Sequence, residues 1–304
     1  MIPLPTWTGF RQRVSARQQT GRFCLNEPMV ALHLCPMRSW PKKRILICAR
    51  QQIVLALSLV ALIWVIGCGN RVESGMKRLE STGILRVGTD ATYPPFESID
   101  TETGKVAGFD IDLVTEICRE LQCAPDFVVT PFDGITAGLT TCKYDLIASS
   151  FTITPERARE VAFTDPYYDA GQALAVPARD SSIRGVENLR GKSVGVQLGT
   201  TGERRARAIS GVKVVSFDNI GSAFIDMENG RLDAIINDLP TTEMIIRQRQ
   251  SARIVGPTLT AERYGFAVRL HDKELLEAVN LALKTIRADG RYQTIHDRWF
   301  GAGG

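Results

Sequence analysis

Ile84-Leu85-Arg86-Val87-Gly88-Thr89 reads as a strand, and the alternation that it opens decides the fold. A loop leads to a helical pattern through Ile111, Leu113, Val114, Ile117 and Leu121, a spacing that gathers apolar side chains on one face. Next come the strand Phe127-Val128-Val129, a helix from Ile135 to Leu139, and the strand Tyr144-Asp145-Leu146-Ile147-Ala148. A second set opens at Lys192-Ser193-Val194-Gly195-Val196 and continues through a helix at 202–209 to the strand Val212-Lys213-Val214-Val215. It closes with a helix at 221–229 and the strand Ala234-Ile235-Ile236. Alternation of this kind predicts an α/β fold with parallel sheets covered by helices on both faces. The two sets share one plan, which predicts two lobes rather than one long sheet.

Charge divides the chain differently. The first 67 residues hold nine Lys/Arg and a single acid, Glu27, for +8, which leaves −4 for residues 68–304. The basic balance therefore belongs to the leader, and the folded part offers no footprint for nucleic acid. Within the leader, Lys42, Lys43, Arg44 and Arg50 precede an uncharged run from Ile53 to Ile66 that is apolar except for Ser58. That run is short for a bilayer span and suits the core of a secretory signal. It ends in Val65-Ile66-Gly67-Cys68, an order that resembles the lipobox of bacterial lipoproteins, where the cysteine becomes the lipidated first residue. Residues 1–36 fit none of this: four prolines and scattered arginines show no sustained period. The reading is a mis-called extension at 1–36, a signal peptide at 37–67 starting from Met37, and a tether at 68–79.

Residues 149–157, Ser-Ser-Phe-Thr-Ile-Thr-Pro-Glu-Arg, carry the first functional signal. Thr154 suits an N-cap, Pro155 the first helical position and Glu156 the positive helix end, which places Arg157 in a first helical turn. Ser150 and Thr152 then stand on the preceding strand end. A five-donor planar cation beside hydroxyls and free backbone N–H groups suits a small carboxylate.

Gly108-Phe109-Asp110-Ile111-Asp112-Leu113, with Ile117 and Cys118 beyond, resembles the signature of family 3 bacterial extracellular solute-binding proteins, the amino-acid receptors of ABC importers. The resemblance runs from about Leu79 to Gly301. It includes Gly88-Thr89-Asp90-Ala91-Thr92-Tyr93-Pro94-Pro95-Phe96-Glu97, Phe163-Thr164-Asp165-Pro166-Tyr167-Tyr168 and Gly195-Val196-Gln197-Leu198-Gly199-Thr200-Thr201. Ile236-Asn237-Asp238 and the closing Asp297-Arg298-Trp299-Phe300-Gly301 complete it. The family implies a two-lobed periplasmic-binding-protein type II fold whose two crossovers form a hinge that closes on ligand. Lobe 1 would be 80–169 plus 267–304 and lobe 2 would be 172–262, with the hinge near 169–171 and 263–266.

Carried over by position, the resemblance makes Arg157 the clamp on a ligand α-carboxylate, with Ser150 and Thr152 adding bonds to the α-carboxylate and α-amino groups. Thr200 and Thr201 open a helix that faces the same carboxylate from the other lobe, and helix N-termini favour anions. Asp238 matches the acid that pairs with the α-ammonium, at a strand end where α/β sheets bind ligands. Tyr93, Phe96 and Phe132 match the apolar walls, for Phe96 in balance with plain lobe packing. Asp90 lies near the ligand side chain in this family, and Ser149-Ser150 resembles receptors for histidine, lysine and arginine more than the glutamine type. An acid at the far end complements a cationic side chain, so the expected ligand is a polar, basic L-amino acid.

The partners implied are that amino acid, an ABC permease, and a membrane through lipid on Cys68. The protein would be a lipid-anchored extracytoplasmic monomer without cofactor or metal. Cys118 and Cys123 lie where basic amino-acid receptors often carry a disulfide, but at narrower spacing, and their pairing stays open. Two other classes compete. A cyclohexadienyl (prephenate) dehydratase uses the same fold, and its acid–base work would fall to Asp238 or Glu203. His33, His271 and His296 are scattered without metal spacing. A ligand sensor without transport would use the same binding chemistry.

Overall fold

A computed structural model describes residues 74–301. The expectations for the extension, the signal peptide, Cys68 and the start of the tether lie outside the described residues; the end of the expected tether is instead helical, Gly75–Thr82, because Leu79 is buried against the first lobe and Asp272 accepts the Gly75 N–H.

Two five-stranded sheets carry the fold. The first runs Ala124–Val129, Ile84–Thr89, Leu146–Ile147, Ala267–Arg269, Val161–Phe163 in spatial order. The second runs Lys213–Phe217, Ser193–Gln197, Ala234–Asp238, Gln172–Pro177, Ala252–Val255. Registers are set by apolar neighbours: Val87 lies opposite both Phe127 and Leu146, and Val194 opposite both Val214 and Ala234. The first lobe is covered by the helices Gly75–Thr82, Phe109–Glu120, Ile135–Thr140, Lys273–Ala288 and Arg291–Phe300. Thr201–Arg207, Ile220–Glu228 and Leu239–Arg249 cover the second. Lys273–Ala288 shows the helical period plainly, burying Leu275, Val279, Ala282, Leu283 and Ile286 on one side.

Neither sheet is purely parallel, and the departure is the same in both. Ala267–Arg269 runs antiparallel to Leu146–Ile147 and Val161–Phe163, and Gln172–Pro177 antiparallel to Ala234–Asp238 and Ala252–Val255. Each of these strands is the one that enters its sheet straight from the other lobe. It arrives where its parallel neighbours end and must run away from that edge. The crossing segments themselves, Tyr168–Ala170 and Glu262–Tyr264, pair antiparallel as a ribbon of two strands. An apolar cluster passes through the aromatics of this ribbon, joining Phe96, Phe109, Tyr167 and Phe266 of the first lobe to Ala175, Phe224 and Ile235 of the second.

A buried ionic cluster ties the start of the described chain to the segment that precedes Lys273–Ala288. Arg269 reaches Asp145 at 3.2 Å and Asp272 at 2.7 Å, Arg86 grips Asp145 through two nitrogens, and Asp272 accepts the Gly75 N–H at 3.0 Å. Removing one member would leave an unpaired buried charge, a loss of about 3–5 kcal/mol. Among the described residues Cys118, Cys123 and Cys142 are free thiols, and no helix is long and apolar enough to cross a membrane.

Candidate functional site

A small cavity lies between the carboxyl ends of the two sheets. Nine of the eleven ligand residues expected from sequence line it: Tyr93, Phe132, Ser149, Ser150, Thr152 and Arg157 from the first lobe, Thr200, Thr201 and Asp238 from the second. Gln197 completes the wall.

Arg157 does not open an α-helix. Thr154 does cap it, accepting the Arg157 N–H at 3.2 Å, but Arg157–Arg159 is one 3-10 turn that gives way at once to the strand Val161–Phe163. A guanidinium, not a helix N-terminus, therefore faces the cavity on this side. It is held by side-on geometry: Nη1 donates to the Thr152 carbonyl at 2.9 Å and Nη2 to the Gly199 carbonyl of the opposite lobe at 3.1 Å. Phe151 and Phe132 lie 4.2 and 5.2 Å from its centre. Burial, with Arg204 nearby, lowers it to about 10, which still leaves it a cation at neutral pH. Across from it, Thr200 caps Thr201–Arg207, its hydroxyl accepting from the Glu203 N–H at 3.1 Å and donating to the Gln197 carbonyl at 2.7 Å. Gly199, at φ +76°, makes the turn before it, and its N–H goes to Glu203 at 2.8 Å.

Asp238 closes the strand Ala234–Asp238 and is buried. Tyr93 donates to it at 2.9 Å and Tyr264 at 2.5 Å, and Gln172 donates to its other oxygen. Burial, with Glu262 adding repulsion against these donors, pushes its carboxyl up to about 6. The Thr201 hydroxyl donates to Glu262 at 2.7 Å, so its proton is not free for another acceptor.

Two expected contacts fall elsewhere. Phe96 is wholly buried away from the cavity, edge-on to Phe109, Tyr168 and Tyr264, so packing claims it. Asp90 stands one layer back, taking hydrogen bonds from Thr92 at 2.9 Å and from Gln197 at 2.7 Å. Burial raises its carboxyl, the two hydrogen bonds oppose the rise, and Asp133 adds to it.

The serines point the same way. Ser149 and Ser150 each donate to Glu97 at 3.1 Å, and Ser150 adopts φ +46° to give its N–H to Asp110 at 2.9 Å. Glu97 therefore takes up one hydrogen bond of each serine hydroxyl. Burial raises Glu97 well above the carboxylate range, with Asp110 and then Asp90 adding to it, and burial brings Asp110 to about 7. Sequence reasoning missed Glu97, Asp110 and Gln197 as site residues. Gln197 ends a central strand just as Asp238 does, a signal that could have found it; nothing in local pattern distinguishes Glu97. The Gln197 Oε1 is buried and has no partner in the protein, an acceptor left for a donor in the cavity.

Residues 85–302 match the family described as bacterial extracellular solute-binding proteins, family 3. The chain belongs to this family. Among the similar proteins is ABC transporter arginine-binding protein 1 of Escherichia coli (strain K12), 37% identical over 222 residues that cover 71% of this chain and 90% of that one. The histidine-binding periplasmic protein of the same strain is 38% identical over 228 residues, covering 71% and 87%. An ancestral arginine-binding protein bound to arginine superposes with a TM-score of 0.70 at 44% identity, covering 72% of this chain and 99% of that chain. An ancestral arginine-binding protein is also solved bound to glutamine.

Proposed function

We propose that this family 3 protein is an extracytoplasmic receptor that closes on a basic L-amino acid of the arginine, lysine, ornithine or histidine class and delivers it to an ABC import permease. The observation that carries the choice is the pairing of a guanidinium, Arg157, with a serine wall backed by buried Glu97, Asp110 and Asp90. The names of the similar arginine- and histidine-binding proteins support it. Arg157 holds the α-carboxylate first; closure then brings the Thr201 N–H and Asp238 onto the same ligand, the role for Asp238 being the α-ammonium. Asp90 acts through Gln197, whose free Oε1 meets a donor-rich cationic side chain beside the oxygens of Ser149 and Ser150. The site is read as one for binding and not for turnover.

The same reading places the lobes at 80–169 with 267–304 and at 172–262, rotating about 169–171 and 263–266. It makes the protein a monomer, begun at Met37 and lipid-anchored at Cys68. Peptides from residues 1–36 in native protein would sink that start, and Cys68→Ser is expected to release the protein from membranes.

A thermal-shift panel of the twenty amino acids with ornithine and citrulline tests the function, because a ligand that binds only the folded state raises the melting temperature. Stabilisation by basic amino acids is the expected result. Silence across the panel would overturn the receptor reading and direct the next assay to prephenate turnover.

Two effects are expected at this site. Asp90→Asn weakens arginine more than glutamine, by about tenfold, because one buried charge behind Gln197 is lost; equal loss for both, read by calorimetry, contradicts it. Binding also falls with acid. Asp238 must be anionic to meet an ammonium, and its carboxyl sits at about 6, facing Arg157, Glu262, Tyr93 and Tyr264. Affinity is expected to fall about tenfold per pH unit below that point. Fold stability moves oppositely: the raised Asp238 binds a proton more readily folded than unfolded. Its contribution is therefore present below about pH 4 and is lost as pH rises through about 6.

A further inference from the structure

We infer that Glu262, on the strand that returns between the lobes, is a positioning residue for the ligand's α-ammonium, acting through the Thr201 hydroxyl and the Gln172 amide. The inference rests on the reading of the cavity as an α-amino-acid site. One Glu262 oxygen accepts from Thr201 at 2.7 Å and from the Gln172 amide at 3.4 Å, and the other accepts from Thr260 at 2.9 Å. The same Gln172 amide donates to the Thr201 hydroxyl at 3.0 Å and to Asp238.

A hydroxyl has one proton to give. With that proton held by Glu262, Thr201 offers its side-chain oxygen to the cavity only as an acceptor. Asp238 next to it is an acceptor as well. The pole of the cavity formed by these two residues therefore rejects carboxylate oxygens at its side chains and takes a group made only of donors, which an ammonium is. Without Glu262 the Thr201 hydroxyl would be free to rotate and donate to the ligand carboxylate, blurring the separation between the two ends of the α-amino acid. Charge supports the same assignment. Asp238 and Glu262 face Arg157 and the phenols Tyr93 and Tyr264; with Arg157 taken by the α-carboxylate, the two acids are left to the α-ammonium.

Calorimetry on purified wild type and Glu262→Gln, using L-arginine and L-glutamine beside their des-amino analogues, tests this. Glu262→Gln is expected to weaken the amino acids by about tenfold and the des-amino acids by less than about threefold. The double variant with Thr201→Val should bind no more weakly than Thr201→Val alone, because both act on one interaction. Melting temperatures report whether the fold is kept. If Glu262→Gln unfolds early, Thr201→Val carries the test, since it keeps both carboxylates and the backbone N–H and must still lose the amino acid more than its analogue. Equal loss for both ligand types, or no loss, overturns the inference while leaving the receptor reading in place. Failure of wild type to bind any amino acid overturns both.

Discussion

Arg157→Ala weakens every α-amino acid by two to four orders of magnitude while leaving the melting temperature of the ligand-free protein within a few degrees of wild type. Truncating one partner of a desolvated, hydrogen-bonded charge pair costs about 3–5 kcal/mol, much of it the penalty on the charge left behind. Here that charge would be the ligand α-carboxylate, left without a cationic partner in the cavity. The fold depends on Arg157 far less. Its two hydrogen bonds go to carbonyls of Thr152 and Gly199, and the second exists only where the lobes meet. Arg157→Lys should recover little, because an ammonium cannot reproduce the planar fork that spans two carbonyls and a carboxylate. Calorimetry with differential scanning on the same samples separates the two effects. Retained micromolar binding in Arg157→Ala would remove the clamp from the account.

Gly108→Ala is expected to destabilise the fold by about 4 kcal/mol or more, the range reached when steric overlap adds to backbone strain. Gly108 has φ +150° and ψ 174°, a conformation closed to residues with a side chain. A Cβ there would also lie 2.0 Å from the Phe96 carbonyl oxygen and 2.7 Å from the Glu97 nitrogen. Neither obstacle is a flexible side-chain tip that could swing away. Relief requires moving the Phe96–Glu97 backbone, which carries the carboxylate behind Ser149 and Ser150. The variant should therefore lose both melting temperature and selectivity for cationic ligands; an unchanged melting temperature would contradict the packing described.

Much of this was legible in the sequence because it is local. The strands and helices follow from hydrophobic period, and their boundaries shift by only a few residues: 202–209 becomes Thr201–Arg207, and 221–229 becomes Ile220–Glu228. Thr154 caps as its residue type suggests, yet the helix it was expected to open stops after one turn, because tertiary pairing of Val161–Phe163 with Ala267–Arg269 claims the chain. The antiparallel strand in each sheet was not legible. It depends on where the chain enters a lobe, which no local pattern encodes. The same limit explains the site. Positions at strand ends and caps, such as Asp238, Thr200 and Arg157, could be named from the resemblance, whereas the partners of the hydroxyls are acids distant in sequence, Glu97 for Ser150 and Glu262 for Thr201. Phe96 illustrates the converse: its motif position suggested a ligand wall, but the aromatic cluster around the ribbon takes the ring.

The central claim is that the cavity reads a cationic side chain on an α-amino acid, and calorimetric titration of L-arginine against L-citrulline tests it most directly. The two ligands share length and shape and differ in the charge that Asp90, behind Gln197, would meet. The account predicts that arginine binds at least about tenfold more tightly, a margin of about 1.4 kcal/mol. Equal or tighter binding of citrulline would contradict it.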